Sequence, residues 1–244
     1  MSVTLYPYNI LESGTVTVTG TPDTGYPVSR LYDRGLSLYW KDTVTEAKTF
    51  HVDQGATGIL DVDMLAIFGH NFDGEDMQLQ YSDDDAAWTD AVTDWTQSGD
   101  AQITKPLAAA VTHRYWRVTV TSMANPECGE LYISKGYAFA VLDDPRPAQA
   151  EQSNVDRLES VGGMRRAIKH GDTRRSWSYD IRLKNATDRA NLLTVLEYTD
   201  GTHKPLPVKD MDGNYYMMEL MDDPRMDRAQ ISRGYATLTL LETL

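Results

Sequence analysis

The sequence predicts a mainly β protein of two domains: an antiparallel β-sandwich, then a smaller antiparallel β domain with one short α-helix. Three observations support this. Short stretches of alternating apolar and polar residues recur along the chain, turn-forming Gly, Asp, Asn and Pro separate them, and a polar, proline-containing segment interrupts the pattern. With 244 residues the chain is long enough for two modest cores. The predicted boundaries are 1–140 for the sandwich, 141–154 for a linker and 155–244 for the second domain.

The strands of the first domain follow from alternation. Residues 15–19 (TVTVT) place Val16 and Val18 on one face. Further strands are predicted at residues 50–52, 64–68, 77–81, 115–120 and 131–133. Pairs such as Asp73 with Gly74 mark the turns between them. Many short strands separated by turns are typical of an antiparallel sandwich.

The second domain begins beyond the linker with residues 177–183 (WSYDIRL), the clearest alternating strand of the sequence. A short amphipathic helix is predicted next, capped by Asn185 and ended by Gly201. Its apolar positions are Leu192, Leu193 and Leu196. Two more strands, at residues 215–221 and 235–241, complete a small α+β domain.

The charge and cysteine content narrow the class of function. Asp and Glu number 36 against 23 Lys and Arg, giving a net charge of -13. Repulsion from phosphates therefore argues against specific nucleic-acid binding. No apolar run approaches the length of a membrane span, so no membrane insertion is expected. Cys128 is the single cysteine, which excludes an internal disulfide and fits folding in a reducing cytoplasm.

The residues that catalysis needs are scattered. The five histidines have no metal-ligand spacing, and Cys128 has no base beside it in sequence. The paired aspartates at residues 83–85, 143–144 and 222–223 all fall in predicted turns, where aspartate bonds to nearby backbone amides. We therefore expect that the protein is not an enzyme.

Four segments of the first half carry a family resemblance: residues 31–40 (LYDRGLSLYW), 66–71 (AIFGHN), 80–88 (QYSDDDAAW) and 113–118 (HRYWRV). In this order they resemble the discoidin, or F5/8 type C, family over about residues 20 to 135. The resemblance implies a jelly-roll β-sandwich of the galactose-binding-like kind. The turn glycine of the family's Tyr-Ser-x-Asp-Gly hairpin is replaced here by Asp85.

The resemblance also implies candidate sites. The family can hold calcium between its early turn and its closing strand, which points to Asp33 and Glu130. Arg34 stands where a second early acid is usual, and Asp33 can instead cap the turn. No other cofactor is expected. The family binds sugars, lipids or proteins through loops at one end of the sandwich, so the candidate ligand contacts are Tyr26, Tyr32, Asn71, Trp88 and Trp95. The open alternative for Trp40, Trp88 and Trp116 is core packing.

The second half resembles the tube-forming domain of phage distal tail and minor tail proteins. The matching features over residues 155–244 are a basic stretch at 165–172 (RRAIKHGD), the 177–183 strand, the short helix, residues 201–206 (GTHKPL) and the closing strand. The resemblance implies a homo-oligomeric ring, with a hexamer expected and a trimer as the alternative. Arg165, Arg166, Arg174 and Arg175 are candidate interface residues, or else simply solvated charge beside a hairpin.

The functional expectation joins the two resemblances. The chain is expected to be a structural component of a phage or prophage tail tip, a distal-tail-type ring that connects the tail tube to the baseplate. Its sandwich would project outward for decoration or adhesion to a host-surface glycan. Its partners would be copies of itself and neighbouring tail-tube and tip proteins, and its location the virion after synthesis in the host cytoplasm. The alternative is a stand-alone carbohydrate-binding protein.

Overall fold

The protein is mainly β. Its structure, a computed structural model, describes residues 1–20, 22–99, 102–142, 148–152, 155–159, 165–169, 173–222, 224, 226–230 and 233–243. The strands are β1 (Ser2–Leu5), β2 (Thr15–Val18), β3 (Trp40–Lys41), β4 (Glu46–Asp53), β5 (Val62–His70), β6 (Asp76–Ser82), β7 (Thr89–Asp90), β8 (Trp95–Thr96), β9 (Ile103–Val111), β10 (Tyr115–Met123), β11 (Glu127–Ser134), β12 (Tyr137–Val141), β13 (Ala148–Gln152), β14 (Val155–Glu159), β15 (Arg165–Lys169), β16 (Arg174–Leu183), β17 (Leu206–Lys209), β18 (Tyr215–Leu220), β19 (Met226–Gln230) and β20 (Arg233–Glu242). The helices are α1 (Ile10–Ser13) and α2 (Ala186–Tyr198), with a 3-10 turn at Val28–Leu31.

The chain forms two compact units whose boundaries differ from the predicted ones. One unit comprises Tyr6–Gly136, and the other joins Met1–Leu5 to Tyr137–Leu244. The predicted sandwich domain includes residues 1–5, but the strand that they form, β1, pairs with β12 and β17, which lie far downstream in sequence. A local hydrophobic pattern cannot reveal such a distant partner.

The Tyr6–Gly136 unit is a β-sandwich of two antiparallel sheets. One sheet has the order β2-β4-β10-β6-β7, with β8 also paired to β6, and the other has the order β3-β11-β5-β9. Alternation creates the core: β4 buries Phe50 and Val52, and β10 buries Trp116, Val118 and Val120. Residues between these on each strand therefore form the outer face of the six-stranded sheet.

Aromatic side chains occupy the centre of the sandwich core. Trp40 and Trp116 are fully buried, as the packing alternative predicted for them. The Trp40 ring meets Phe50 edge to face, with the ring centroids 5.1 Å apart. Burial of each large apolar side chain stabilises the unit by about 1.5–3 kcal/mol. Trp88 is only half-buried, so core packing was the wrong interpretation for that residue.

The second unit is built on a sheet that closes on itself. The closed path runs β16-β12-β1-β17-β18-β20 and returns to β16 through the long β16–β20 pairing, from Ser176 opposite Leu241 to Leu183 opposite Gly234. We call this unit the closed-sheet unit. Its core includes Val3, Phe139 and Leu238, and α2 contributes Leu192 and Val195.

The helix and the 177–183 strand were predicted correctly. The Asn185 side chain accepts a hydrogen bond from the Asp188 amide at 2.9 Å, which caps α2. Leu193, by contrast, is 51% exposed, and Val195 takes its place on the buried face. In the described part of the chain, no helix is long and apolar enough to cross a membrane.

The predicted linker, residues 141–154, is partly strand. Ala148–Gln152 forms β13 and pairs with β16, whereas residues 143–147 and 153–154 lie outside the described part. Beyond it, β14 and β15 pair only with each other among the described strands, as a two-stranded antiparallel hairpin. The prolines and charges that indicated a linker did not preclude pairing at an edge of β16.

Candidate functional site

The outer face of the six-stranded sheet carries an unusual set of side chains for a solvent-exposed surface. On β4 the outward positions are Thr49, His51 and Asp53, and on β10 they include Tyr115 and Arg117. The two strands pair in register, so that Tyr115 lies opposite Asp53 and Arg117 opposite His51. Strand pairing therefore gathers two aromatic rings, a guanidinium and a carboxylate within one small area.

These residues line a cleft of about 560 Å³, which we call the His51 cleft. Its lining residues are Thr15, Thr17, Thr49, His51, Asp53, Asp85, Trp88, Tyr115 and Arg117. The first five come from the adjacent strands β2 and β4, and the last two come from β10. Asp85 and Trp88 reach the face from the turn that follows β6.

Ring contacts fix the aromatic part of the cleft. His51 stacks on Tyr115 with the ring centroids 5.9 Å apart, and it meets Trp88 edge to face at 5.8 Å. The Arg117 guanidinium lies over the Trp88 ring, 4.1 Å from its centroid. Such cation–π contact and stacking hold the rings in defined orientations before any ligand arrives.

Polar contacts fix the remaining groups. Arg114 donates two hydrogen bonds to the Asp53 carboxylate, at 2.7 and 2.8 Å, and this pairing lowers the pKa of Asp53 to about 2. His51 Nε2 lies 2.9 Å from Asp85 Oδ1. Arg117 Nε donates to Gln80 Oε1 at 2.7 Å, while partial burial lowers the pKa of Arg117. The cleft thus has fixed donors and acceptors beside its rings.

A second cleft, the Trp95 cleft, lies on the same face and has a volume of about 550 Å³. Its lining residues are Ala47, Asp76, Met77, Gln78, Asp94, Trp95, Thr96, Thr119, Val120 and Thr121. Trp95 is half-buried, and it pairs with the buried Met77. Its ring therefore points to the inner side of the sheet, where the Lys105 ammonium lies 4.5 Å from the ring centroid. Sequence reasoning had singled out Trp95 as a candidate contact.

The other candidate ligand contacts do not line either cleft. Tyr26 stacks on Tyr39, with the ring centroids 4.9 Å apart. Tyr32 follows the 3-10 turn and is half-buried. The Asn71 amide donates to the Asn125 carbonyl and accepts from the Glu127 amide, so it ties two loops together. The structure therefore places these three residues outside the polar and aromatic face.

The two candidate calcium ligands lie together. The Gly35 amide is 2.9 Å from both Asp33 Oδ1 and Glu130 Oε1. Burial, followed by the hydrogen bond with Asp33, raises the pKa of Glu130 to about 9. Glu130 is therefore protonated at neutral pH. Calcium needs six to eight oxygens and favours ionised carboxylates, and the described residues contain no group of three or more acidic, histidine or cysteine side chains placed to hold a metal ion. With Glu130 protonated, the pair offers one ionised carboxylate, and Asp33 uses it to cap the turn at Gly35.

The four candidate interface arginines lie in two strands. Arg165 and Arg166 are in β15, and the structure does not describe their side chains. Arg174 and Arg175 begin β16 and are exposed. Arg175 Nη1 donates to the Tyr216 hydroxyl at 3.4 Å, and its guanidinium lies 4.0 Å from the Glu242 carboxylate. Arg175 is thus already engaged within its own unit.

Sequence reasoning missed His51, Tyr115 and Arg117 as members of one site. His51 was treated as an isolated histidine, and Arg117 as part of a family motif. The sequence did contain one indication. His51 on β4 and Arg117 on β10 alternate with core residues such as Phe50 and Trp116, which predicts that both side chains point outward. The pairing that brings them together could not be derived from either strand alone.

No family model matches the chain, and no curated protein matches it. Solved structures with a similar fold include a Ruminococcus gnavus GH29 fucosidase in complex with fucose, at 17% identity and a TM-score of 0.46, covering 55% of this chain and 28% of the fucosidase. A chitosan-binding module of a Paenibacillus chitosanase/glucanase is similar at 20% identity and a TM-score of 0.43, covering 52% of this chain and 99% of the module. A family 32 carbohydrate-binding module of Clostridium perfringens NanJ, in complex with galactose, is similar at 16% identity and a TM-score of 0.42, covering 55% and 99%.

Proposed function

We propose that the Tyr6–Gly136 unit binds carbohydrate and that the His51 cleft is its binding site. The observation that carries this proposal is the fixed grouping of the Tyr115, His51 and Trp88 rings beside Arg117 and Asp85 in one cleft. A sugar ring presents apolar C–H groups on its faces and hydroxyls around its edge. Aromatic rings suit the faces, and paired donors and acceptors suit the hydroxyls.

The side chains of the His51 cleft are already held in place, which favours sugar binding there. The Arg114–Asp53 bidentate pair lies beside Tyr115, with the guanidinium 4.6 Å from the centroid of the Tyr115 ring. Trp88 is held under Arg117. A site whose side chains are already ordered loses little conformational entropy on binding, so even a small sugar can gain net affinity.

The test is glycan-array screening of the full chain, followed by calorimetric titration of the sugars that bind. We expect Tyr115→Ala to weaken binding tenfold or more, equivalent to about 1.4 kcal/mol, because it removes a platform for the sugar face. Tyr32→Ala is the matched control, since Tyr32 is a half-buried tyrosine of the same unit outside both clefts. Unchanged affinity of Tyr115→Ala, or a silent array, would refute the assignment.

We also propose binding without catalysis. The His51 cleft contains Asp53 and Asp85, but Arg114 holds the pKa of Asp53 at about 2 and Asp85 is paired with His51. A glycoside hydrolase needs one carboxyl group that stays protonated as a general acid. Bound oligosaccharides should therefore be recovered intact after prolonged incubation, and release of reducing ends would contradict this.

A second candidate function is the tail-tip ring protein with an outward sandwich, located in a virion. The observation that favours it is the β14–β15 hairpin, because an isolated two-stranded hairpin is only marginally stable in water and gains from a partner surface. The closed path of the sheet weighs against a ring built by edge pairing of its central strands. Light scattering after size exclusion measures the oligomeric state. The unsubstituted protein should form a ring, and replacement of Arg165, Arg166, Arg174 and Arg175 by Ser should dissociate it. A monomer at all concentrations would speak against this candidate.

A further inference from the structure

Two side chains of opposite charge in the His51 cleft lie near each other without forming a pair. Arg117 lies directly opposite His51 across the β4–β10 pairing, and His51 Nε2 is 2.9 Å from Asp85 Oδ1. Burial lowers the pKa of Arg117, and the nearby charge of Asp85 opposes that change. Within the described part of the chain, however, no ion pair joins Arg117 to Asp85. The two charges therefore border a gap that ligand atoms can enter.

Both side chains keep hydrogen-bonding atoms that the fold does not use. Arg117 donates from Nε to Gln80, and neither Nη group has a partner among the described residues. Asp85 contacts His51 through Oδ1, and its Oδ2 has no partner in the same part of the chain. The Asp85 side chain is 49% exposed, and Arg117 is half-buried. The cleft thus contains an unused charged donor beside an unused charged acceptor.

His51 holds the Asp85 carboxylate in place. A carboxylate only accepts hydrogen bonds, so His51 Nε2 is the donor to Asp85. The other ring nitrogen, Nδ1, lies 3.4 Å from the Thr17 hydroxyl, and the ring stacks on Tyr115. Both nitrogens are therefore occupied before a ligand arrives. His51 is a positioning residue, and Asp85 Oδ2 is the atom that is left for the ligand.

The backbone at Asp85 also indicates that its side chain has a task. Asp85 has a φ of 60°, in the left-handed region that glycine adopts most readily. Strained residues of this kind concentrate at binding sites, where the surrounding structure holds them. A glycine would relieve the strain but would remove the carboxylate from the cleft. The position of that carboxylate beside His51 and Arg117 accounts for an aspartate here.

The two charges together decide which sugar fits. The carboxylate of an acidic sugar would pair with Arg117 but would be repelled by Asp85, and an amino sugar would meet the reverse. A hydroxyl group both donates and accepts, so two adjacent hydroxyls satisfy both side chains at once. Hydrogen bonds to a charged partner are about twice as strong as those between neutral groups. A neutral sugar with neighbouring hydroxyls therefore gains from both residues.

We infer that Asp85 and Arg117 are the specificity-determining residues of the His51 cleft and that they select a neutral sugar through two adjacent hydroxyl groups. One hydroxyl donates to Asp85 Oδ2, and its neighbour accepts from an Nη group of Arg117. This inference rests on the proposed function, and it adds the chemical class of the sugar and the atoms that recognise it.

The experiment uses calorimetric titration of the full-length protein. The probes are the methyl glycosides of glucose, galactose and mannose, their monodeoxy analogues, and the corresponding uronic acids and 6-amino-6-deoxy sugars. The neutral glycoside that binds most tightly should bind at least tenfold more tightly than its anionic and cationic counterparts. Removal of either of two adjacent hydroxyls should weaken binding at least tenfold, whereas removal of the other hydroxyls should have a smaller effect.

Substitutions assign each hydroxyl to its residue. Asp85→Asn should weaken binding of the neutral glycoside at least tenfold and should cause no further loss for the deoxy sugar that lacks the hydroxyl held by Asp85. Arg117→Lys should behave in the same way toward the adjacent deoxy position, because an ammonium does not reproduce the guanidinium fork. Asp83→Asn is the matched control and should leave affinity unchanged. Asp83 belongs to the same turn and lies 2.9 Å from His113 Nδ1, but it does not line the cleft.

A second variant keeps the test decisive if Asp85→Asn does not fold. Asp85→Gly suits the backbone conformation and removes the carboxylate, so it should retain the fold and lose the same affinity. Equal affinities of the Asp85 variants and Asp83→Asn would overturn this inference, as would deoxy sugars or charged sugars that bind as tightly as the neutral glycoside. In each of these cases a loss of binding by Tyr115→Ala would leave the proposed function standing. Absence of binding by every probe would overturn both.

Discussion

At the scale of single residues, the sandwich unit contains a fully buried ion pair. Lys48 Nζ lies 2.8 Å from Asp42 Oδ2, and both side chains are 0% exposed. Burial opposes ionisation of Asp42, but the hydrogen bonds from Lys48 and from the Val44 amide hold the pKa of Asp42 below its ordinary value. Lys48 Nζ also lies 3.1 Å from Glu46 Oε1. Removal of Lys48 therefore leaves the buried Asp42 carboxylate without a cation.

We expect Lys48→Met to lower the free energy of unfolding by about 3–5 kcal/mol at neutral pH. Urea titration followed by tryptophan fluorescence measures the change. Lys41→Met is the control, because the Lys41–Glu127 pair is partly exposed and such pairs contribute about 0–1 kcal/mol. Equal losses for the two variants would show that burial of the Lys48–Asp42 pair does not matter.

The stability of the folded protein depends on pH through Glu130, and the surroundings of Glu130 decide whether stability rises or falls with pH. The groups that face it are the Asp33 carboxyl, the Cys128 thiol, the Tyr132 hydroxyl and the backbone amides of Arg34 and Gly35. The pKa of Glu130 rises from 4.5 to about 9 in the folded protein, so the folded state holds a proton that the unfolded state releases. Stability from this group is therefore greatest at low pH and is lost as the pH rises from about 4.5 to about 9.

Glu130→Gln removes that dependence while keeping a neutral side chain of similar shape. We expect the melting temperature of Glu130→Gln, relative to the unsubstituted protein, to increase steadily between pH 5 and pH 9. Differential scanning calorimetry across this range measures the difference. A difference that stays constant with pH would mean that Glu130 does not hold its proton in the folded state.

Residue roles were predictable where they depend on near neighbours in sequence. Asn185 was identified as a helix cap because its partner, Asp188, lies three residues away. For Trp40 and Trp116, core packing was the alternative that the discoidin resemblance offered, and both are buried. His51 and Arg117 were not recognised as partners, because they lie 66 positions apart and meet only through the β4–β10 register. Long-range pairing is what the sequence alone leaves undetermined.

At the scale of elements, α2 shows how a short helix is stabilised at its start. Asn185 Oδ1 accepts from the Asp188 amide, and Asp188 Oδ2 accepts from the Lys184 amide at 2.7 Å. The first bond satisfies a backbone donor that the helix start leaves without a partner, and the second ties the residue before the cap to the first turn. The cap and the strands were both predictable because each depends on residues close together in sequence. The cap joins residues three apart, and strand alternation repeats every two residues.

Asn185→Ala should cost about 1 kcal/mol of stability, since it leaves the Asp188 amide without its side-chain acceptor. Thr187→Ala, an exposed substitution inside the same helix, is the control and should change stability by less than about 0.5 kcal/mol. Chemical denaturation of both variants supplies the comparison. Equal stability of Asn185→Ala and the unsubstituted protein would exclude an energetic role for the cap.

At the scale of the whole molecule, the closed path of the sheet depends on a strand from the opposite end of the chain. β1 lies between β12 and β17, with Val3 and Leu5 fully buried. Domain boundaries drawn from sequence order placed β1 in the sandwich, because the linker composition near residue 143 was the clearest boundary signal. Only the pairing with β12 and β17 assigns β1 to the closed-sheet unit.

Leu5→Ala should therefore destabilise the closed-sheet unit by about 2–5 kcal/mol, the usual cost of such a cavity. Hydrogen exchange with mass spectrometry should show faster exchange in β12, β17 and β18. Ser2→Ala, at an exposed position of the same strand, is the control and should leave exchange unchanged. Unaltered protection of β12 and β17 in Leu5→Ala would mean that β1 does not support the closed sheet.

The pairing of Leu5 with Tyr137 has a consequence for how such a chain can be rebuilt. Because residues 6–136 leave and rejoin the closed sheet at two directly paired positions, they occupy the place of the turn in a β-hairpin. Paired residues of antiparallel strands stand only about 5 Å apart, a gap that a two-residue turn can span. We therefore expect that the sandwich can be exchanged for another module with adjacent termini, or for a short turn, without interrupting the closed sheet.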